Sequence, residues 1–261
     1  MKTVVYSVTG AKKGEINLAS AFSKPVREDI IKKAVLSERN DDRQAYGANK
    51  TAGMRTSAHY HGRRGIRHSM MNREMARMKR IHDASFLGFA ARIVPQATKG
   101  RKAHPPKSEK NWEQKVNKKE KTAALYSAIS ACSNKEIVKK RGHKIKEVNE
   151  LPLVIESKIE SLKKTKDIKN LLEKIGLKNE LSRCREKKVR PGKGTRRGRK
   201  YTRKKGPIII VKDDKGILKA GRNIAGIDVV SLKKLRVQDL APGGDPGRIC
   251  IWSEDATKEI K

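Results

Sequence analysis

Acidic residues are scarce in this 261-residue sequence: 28 Asp and Glu stand against 64 Lys and Arg, a formal net charge of +36. Self-repulsion at that charge works against an isolated compact fold. A polyanionic partner relieves the repulsion, and release of its condensed counterions makes binding favourable and salt-sensitive. Long hydrophobic runs are also missing. None exceeds Ile208 to Val211, far short of the about 20 residues that a spanning helix needs, so no membrane partner is expected. Met1 to Val8 lacks the apolar core of a secretory signal, and the sequence reads as cytosolic. The three cysteines, Cys132, Cys184 and Cys250, lie far apart without CxxC pairing, which argues against a disulfide framework or a zinc ribbon. They read as small apolar fillers. No Gly-x-Ser-x-Gly occurs, and acids are rare wherever the chain is irregular, so no catalytic residue is named and no enzyme is expected.

What is present is a basic stretch from Arg43 to Lys107, with fifteen Lys or Arg against Glu74 and Asp83. Its cations are Arg43, Lys50, Arg55, Arg63, Arg64, Arg67, Arg73, Arg77, Lys79, Arg80, Arg92, Lys99, Arg101, Lys102 and Lys107, interrupted by six glycines and closed by Pro105-Pro106. Its hydrophobic periodicity is poor, so it has no evident means of burying a core. A segment this long without structure of its own is usually functional or disordered. The arginines alternate with Gly, Tyr60, Met and His instead of forming a homopolymer. Arginine forks grip phosphates bidentately and stack on bases, and RNA offers unstacked bases more readily than duplex DNA. The reading is an RNA-binding extension. Met70, Met71, Met75 and Met78, with Arg73, Arg77 and Arg80, suggest a short helix packed against RNA.

The flanks read as a globular body. Thr3 to Val8 predicts a strand, residues 9–24 turns, and Pro25 opens a helix with Ile30, Ile31, Ala34 and Val35 on one face. Ser108 predicts the N-cap of a second helix carrying Trp112, Val116, Ala123, Tyr126 and Ile129; Ser133 with Glu136 suggests a capping box for a third, ending at Gly142. Leu151 to Ile155 predicts a buried strand, and Asp167 a cap for a helix stopped by Gly176. From Arg183 to Lys205 runs a second basic arm with thirteen Lys or Arg and one acid, and three apolar strands follow: Pro207 to Val211, Ile227 to Val230 and Ile249 to Trp252. Apolar strands separated by helices imply a mainly parallel sheet covered on both faces, an α/β body.

Two motifs suggest other chemistry. In Gly192-Lys193-Gly194-Thr195-Arg196-Arg197-Gly198 the dinucleotide fingerprint would need glycine at Arg197, and no Gly-Lys-Ser/Thr triplet follows at P-loop spacing. Backbone close to RNA phosphates explains these glycines better. His59, His61, His68 and His82 are potential metal ligands, but no Cys or acid accompanies them and arginines surround them, so contact with RNA is preferred and no metal is expected. His143 reads as a hydrogen-bonding loop residue.

Several longer segments carry a resemblance: PVREDIIKKAV (Pro25 to Val35), YGANKTAGMRTSA (Tyr46 to Ala58), VPQATKGRKAHPPKSEK (Val94 to Lys110), VNKKEK (Val116 to Lys121), RGHK (Arg141 to Lys144), GRKY (Gly198 to Tyr201), GRNIAGIDVV (Gly221 to Val230) and LAPGGDPGR (Leu240 to Arg248). Spanning nearly the whole chain, they resemble the universal large-subunit ribosomal protein family number four in its archaeal and eukaryotic form. The lack of a long extension after Lys261 is similar to the archaeal version. The resemblance implies a Rossmann-like three-layer body, residues 1–42 and 108–261, with a long irregular loop, 43–107, threading into 23S-type rRNA. It also implies that the loop tip, His61-Gly62-Arg63-Arg64-Gly65-Ile66-Arg67-His68, lines the peptide exit tunnel opposite a hairpin of a neighbouring ribosomal protein. The family tends to carry Gly-x-Gly-Arg-Gly there, so this tip has one glycine fewer and one arginine more.

The rRNA-binding set is then Arg43, Lys50, Arg55, Arg63, Arg64, Arg67, Arg73, Arg77, Arg80, Arg92, Lys99, Arg101, Lys102 and His104 in the loop. In the arm it is Arg190, Lys193, Arg196, Arg197, Arg199, Lys200 and Arg203. The expected role is structural, in the cytoplasmic ribosome, with large-subunit rRNA and neighbouring ribosomal proteins as partners and no cofactor or small-molecule substrate. The alternatives are an extra-ribosomal mRNA-binding regulator and a Rossmann-like RNA-modifying enzyme; the missing fingerprint disfavours the enzyme.

Overall fold

The computed structural model describes residues 1–260. Two compact units divide the chain: Met1–Asp42 with Glu113–Lys261, and Arg43–Trp112. In the first, β1 (Lys2–Tyr6) turns back through the antiparallel β2 (Lys12–Asn17) and leads to α1 (Glu28–Asp41). After the second unit come α2 (Lys118–Ser133), α3 (Lys135–Lys140), β3 (Leu153–Ile155), α4 (Thr165–Leu172) and α5 (Lys178–Arg185). Then follow β4 (Lys187–Val189), β5 (Tyr201–Arg203), β6 (Ile208–Val211), α6 (Ile217–Arg222), β7 (Asp228–Ser231), α7 (Val237–Leu240), β8 (Cys250–Ser253) and α8 (Glu254–Glu259).

The sheet order is β2-β1-β3-β8-β6-β7, parallel at every pairing except β1 with β2. Side chains alternate across a strand, and the central strands bury both faces. Leu153, Ile155, Ile209, Val211 and Ile251 join Ile168, Leu171 and Leu172 of α4, Leu181 of α5 and Ile217 of α6 on one side. Val154, Ile208, Ile210, Cys250 and Trp252 meet Ile31, Ala34 and Val35 of α1, Ala124, Ala128 and Ile129 of α2, and Val237 and Leu240 of α7 on the other. The result is the three-layer α/β body that continuous apolar strands demand. All three cysteines are buried.

The boundaries differ from the expectations at several points. β2 forms where turns were expected: its sequence, KKGEIN, is nearly all exposed, because an edge strand needs only backbone pairing with β1. α1 starts at Glu28 behind Arg27, leaving Pro25 outside. α2 starts at Lys118 behind Asn117, so Ser108 caps nothing and Trp112 and Val116 precede the helix. Asn134, not Ser133, caps α3, accepting from the Glu136 N–H. Asp167 lies inside the first turn of α4, which begins at Thr165. Gly176, at φ +91°, breaks the helix, and its Cβ would sit 2.9 Å from the Glu147 carbonyl oxygen. The chain then resumes as α5, so Arg183 and Arg185 belong to a helix and not to the basic arm.

Two buried polar brackets join distant segments. Arg248, 1% exposed, donates from Nε to Gly206 O at 2.7 Å, from Nη1 to Asp239 O at 2.8 Å, and from Nη2 to the Asp228 carboxylate. Glu180, fully buried, accepts from His143 Nδ1 at 2.6 Å, Lys144 N at 2.9 Å and Arg183 Nε at 2.9 Å. Burial pushes the Glu180 carboxyl up, but the donors from His143, Arg183 and the Lys144 backbone outweigh it and hold it at about 2. Burial also holds the His143 imidazole below its ordinary 6.5, so at neutral pH it donates as a neutral ring.

Removing Arg248 leaves Asp228 with Lys205 as its one remaining cation and takes the donor from the Gly206, Pro207 and Asp239 carbonyls. Arg248→Ala is expected to lower the unfolding free energy by about 3 kcal/mol, read from urea denaturation, with Arg248→Lys recovering only part because it lacks the fork. The Glu180 and His143 shifts share one sign. A carboxyl depressed below its ordinary 4.5 adds stability above that pH and loses it as pH falls toward about 2. An imidazole depressed below 6.5 likewise adds stability above that value and loses it on acidification. Urea midpoints are expected to fall as pH drops below 6.5 and again between 4.5 and 2, with Glu180→Gln shrinking the second decline and other depressed carboxyls such as Asp228 supplying the remainder.

Candidate nucleic-acid interface

The second unit is built almost without a core. Among the described residues, none from 43 to 112 lies in a helix or in a strand longer than a single bridge. Its buried side chains are Ala58, Ser69, Met70 and Arg80. Backbone contacts substitute for apolar packing. Ala48 N donates to Pro106 O at 2.9 Å, and Cβ atoms on Gly47 and Gly53 would lie 2.4 Å from Ser108 N and 2.5 Å from Arg101 Cα. Glycine there lets the outgoing and returning limbs of the loop touch along their main chains. Further in, His59 and Arg80 exchange both backbone hydrogen bonds, at 3.2 and 3.1 Å, and Arg80 bridges on to Ala91.

The Met70–Arg80 segment forms no helix, despite a composition that favours one. Asn72 takes a left-handed φ of +52°, and of the four methionines only Met70 is buried. A short helix without an apolar face to bury is marginal in water. Met70 instead donates its backbone N–H to His61 O at 3.0 Å, closing a loop around Gly62 to Ser69. That closed loop holds the expected tip: Gly62, Arg63, Arg64, Gly65, Ile66 and Arg67 are exposed, while His61 and His68 are half-buried at its base. Gly65 and His68 both have positive φ, +81° and +63°.

Most of the expected RNA contacts in this unit stand in solvent. Arg43, Lys50, Arg55, Arg63, Arg64, Arg67, Arg73, Arg77, Lys99, Lys102 and His104 are exposed, and Arg92 and Arg101 half-buried. Among the described residues, Arg63, Arg64, Arg67 and Arg77 make no ion pair. Others are partly committed: Arg43 lies 4.0 Å from the Trp112 ring centroid and Arg73 4.4 Å from that of Phe89, while Arg55 donates to Thr51 Oγ1. Arg80 differs from the expectation. It is buried, donating to Phe89 O at 2.8 Å and Ala76 O at 3.0 Å, and so braces the loop from inside. Phe86 escaped the sequence reading. At 95% exposed, it follows an Asx turn in which Asp83 accepts from Ser85, leaving an aromatic face with no protein covering. An Asp-x-Ser before an aromatic was the available signal.

The second basic arm, in the first unit, is more ordered than irregular. β4 and β5 pair antiparallel, Lys187 with Arg203 and Val189 with Tyr201. A turn with positive-φ glycines at 192 and 198 joins them, pinned by Arg199 N donating to Gly194 O at 3.0 Å. Arg190, Lys193, Arg196, Arg197, Arg199, Lys200 and Arg203 are all exposed. Tyr201 sits between Lys187 and Lys200, whose ammonium groups are 5.5 and 5.6 Å from its ring.

A body cleft of about 500 Å³ is also basic, lined by Lys140, Arg141, His143, Arg183, Lys204 and Lys205. Its charges are mostly spoken for. Arg141 donates to Pro242 O and Pro246 O, Arg183 to Glu180, Lys204 to Glu186 and Lys205 to Asp228. Burial pulls the Arg141 guanidinium below its ordinary value. This cleft serves the fold more than a ligand. For metal chemistry, one group converges among the described residues: His59, His61 and His82 bring ring nitrogens within 4.8 Å of one another.

Comparison with known proteins identifies the family. Residues 16–261 match the model of the ribosomal protein L4/L1 family. The chain is 42% identical over 266 residues to the large ribosomal subunit protein uL4 of Nanoarchaeum equitans, covering 100% of this chain and 98% of that one. The uL4 proteins of Methanocaldococcus jannaschii and Archaeoglobus fulgidus are 42% and 40% identical, each across 100% of this chain and 98% of their own length. With a family match over residues 16–261 and relatives similar along their full length, the chain belongs to the ribosomal protein L4/L1 family.

Proposed function

We propose that this chain is a structural, non-catalytic constituent of the large ribosomal subunit in the cytoplasmic ribosome. In this reading residues 43–112 and the β4–β5 arm bind 23S-type rRNA. The tip, His61 to His68, lines the peptide exit tunnel facing a hairpin of a neighbouring ribosomal protein. One observation carries it: seventy residues are held by backbone contacts around two buried apolar side chains, with exposed arginines that no acid neutralises. Such a segment gains little from folding on itself and much from phosphates. The uncovered ring of Phe86 and the part-exposed rings of Tyr60 and of Tyr46, which stacks on Trp112, are suited to stacking on splayed bases, which RNA loops provide. The body contributes position, and its sheet and two polar brackets have no need of RNA.

The test is RNA affinity against salt. The full chain is expected to bind large-subunit rRNA fragments with a steep linear fall of log K with log salt. Changing Arg63, Arg64 and Arg67 together to alanine is expected to flatten the slope by about 0.7 for each phosphate that is no longer neutralised. The same variant is expected to leave the urea midpoint of the body within experimental scatter, because none of the three side chains is buried. A slope indifferent to the substitutions would remove the tip from the interface.

A further inference from the structure

We propose that His59, His61 and His82 form a zinc site that clips the basic loop together. The three side chains reach one point by backbone geometry. His59 and His61, two apart, lie on the same side of an extended segment. Arg80 pairs with His59 across the antiparallel bridge, and His82, two beyond Arg80, returns to that side. The ring nitrogens fall within 4.8 Å of one another. Ligands about 2.0 Å from a tetrahedral zinc stand about 3.3 Å apart, a distance reached by small side-chain rotations.

The protonation pattern already suits a cation. His59 Nδ1 lies 3.0 Å from Ser57 O, so that nitrogen carries the proton and donates, leaving the lone pair on Nε2. A carbonyl holding the far nitrogen of a ligating histidine is the usual outer support of a zinc site. His59 Nε2 faces His61 Nε2 at 2.7 Å, so two nitrogens converge where an ion would sit. On metal binding, the proton on His61 Nε2 that bridges them passes through solvent to its Nδ1, so that both ligands stay neutral and both Nε2 lone pairs are free. His82 Nε2 is buried and without a hydrogen-bond partner in the protein, a deficit that a metal would fill.

Surroundings and charge are compatible. His82 stacks on His68 at 5.0 Å and 14°, and Phe89 lies 6.4 Å away, so an aromatic shell flanks the cluster. Arg80, the cation in the same bridge, has its guanidinium turned onto the Ala76 and Phe89 carbonyls. The donor set is three imidazoles. Calcium and magnesium prefer oxygen ligands, whereas imidazole nitrogen suits zinc. Three protein ligands leave a fourth position for water or for an oxygen of the docked partner. The clip joins segments 21 residues apart in a unit with almost no apolar core, where a metal crosslink replaces the missing core. The inference goes beyond rRNA binding and does not depend on it.

The experiment uses the tag-free full chain, without RNA. Cobalt(II) is titrated as a spectroscopic probe and then displaced by zinc, with calorimetry of zinc alone alongside. The expected result is one ion per chain with visible bands of low-coordinate cobalt, and affinity weakened by at least about tenfold in His61→Ala and in His82→Ala. His104→Ala, outside the cluster, is expected to bind as the unaltered chain does. Absence of one-equivalent binding, or equal binding by a His61→Ala/His82→Ala double variant, would overturn the site. Failure here leaves the salt-dependent RNA experiment untouched, and the reverse holds.

Discussion

A surplus of positive charge that the chain cannot neutralise with its own acids is the constraint on which this architecture depends. Where acids exist, they are used closely: Glu180 and Asp228 sit in buried brackets, and Glu38 accepts from the backbone N–H groups of Val237 and Gln238 to tie α1 to α7. Glu74 and Asp83 alone are left for residues 43–107. The two units are therefore stabilised by different forces. The body is held by apolar burial on both faces of a parallel sheet. The loop is held by main-chain contacts and a few cation–aromatic pairs.

Within the loop, order is concentrated at a few points. Gly47 and Gly53 allow the limbs to touch, the His61–Met70 bond closes the tip, and the bridges of Arg80 carry the histidines. The arginines on this frame range between two extremes. Arg80 has exchanged solvent for carbonyls and fixes the frame, while Arg63, Arg64 and Arg67 keep their charge outward. A zinc ion at His59, His61 and His82 would act with the first, setting the frame on which the others are displayed.

The sequence revealed the parts governed by local rules. β3, β6 and β8 were legible because strands buried on both faces are continuous apolar runs, and Gly142 and Gly176 announced helix ends. β2 was hidden because edge pairing asks nothing of its side chains. α5 was hidden because Arg183 and Arg185 read as part of a charge run, although Cys184 between them is buried. Ser108 misled because a good cap residue was followed by nine irregular residues before α2. The loop's charge was visible at once, and the position of its tip followed from the family resemblance. The internal role of Arg80 and the meeting of His82 with His59 and His61 were not, since a bridge between residues 59 and 80 leaves no periodic trace.

Amide hydrogen exchange reads the central claim most directly, comparing the free chain in chelator with the chain assembled on large-subunit rRNA. The account predicts slow exchange for β3, β6 and β8 in both states, and rapid exchange across residues 43–112 that becomes slow only on the RNA. Equal protection of residues 43–112 in the free and bound states would show that the loop carries its own stability, and would contradict the account.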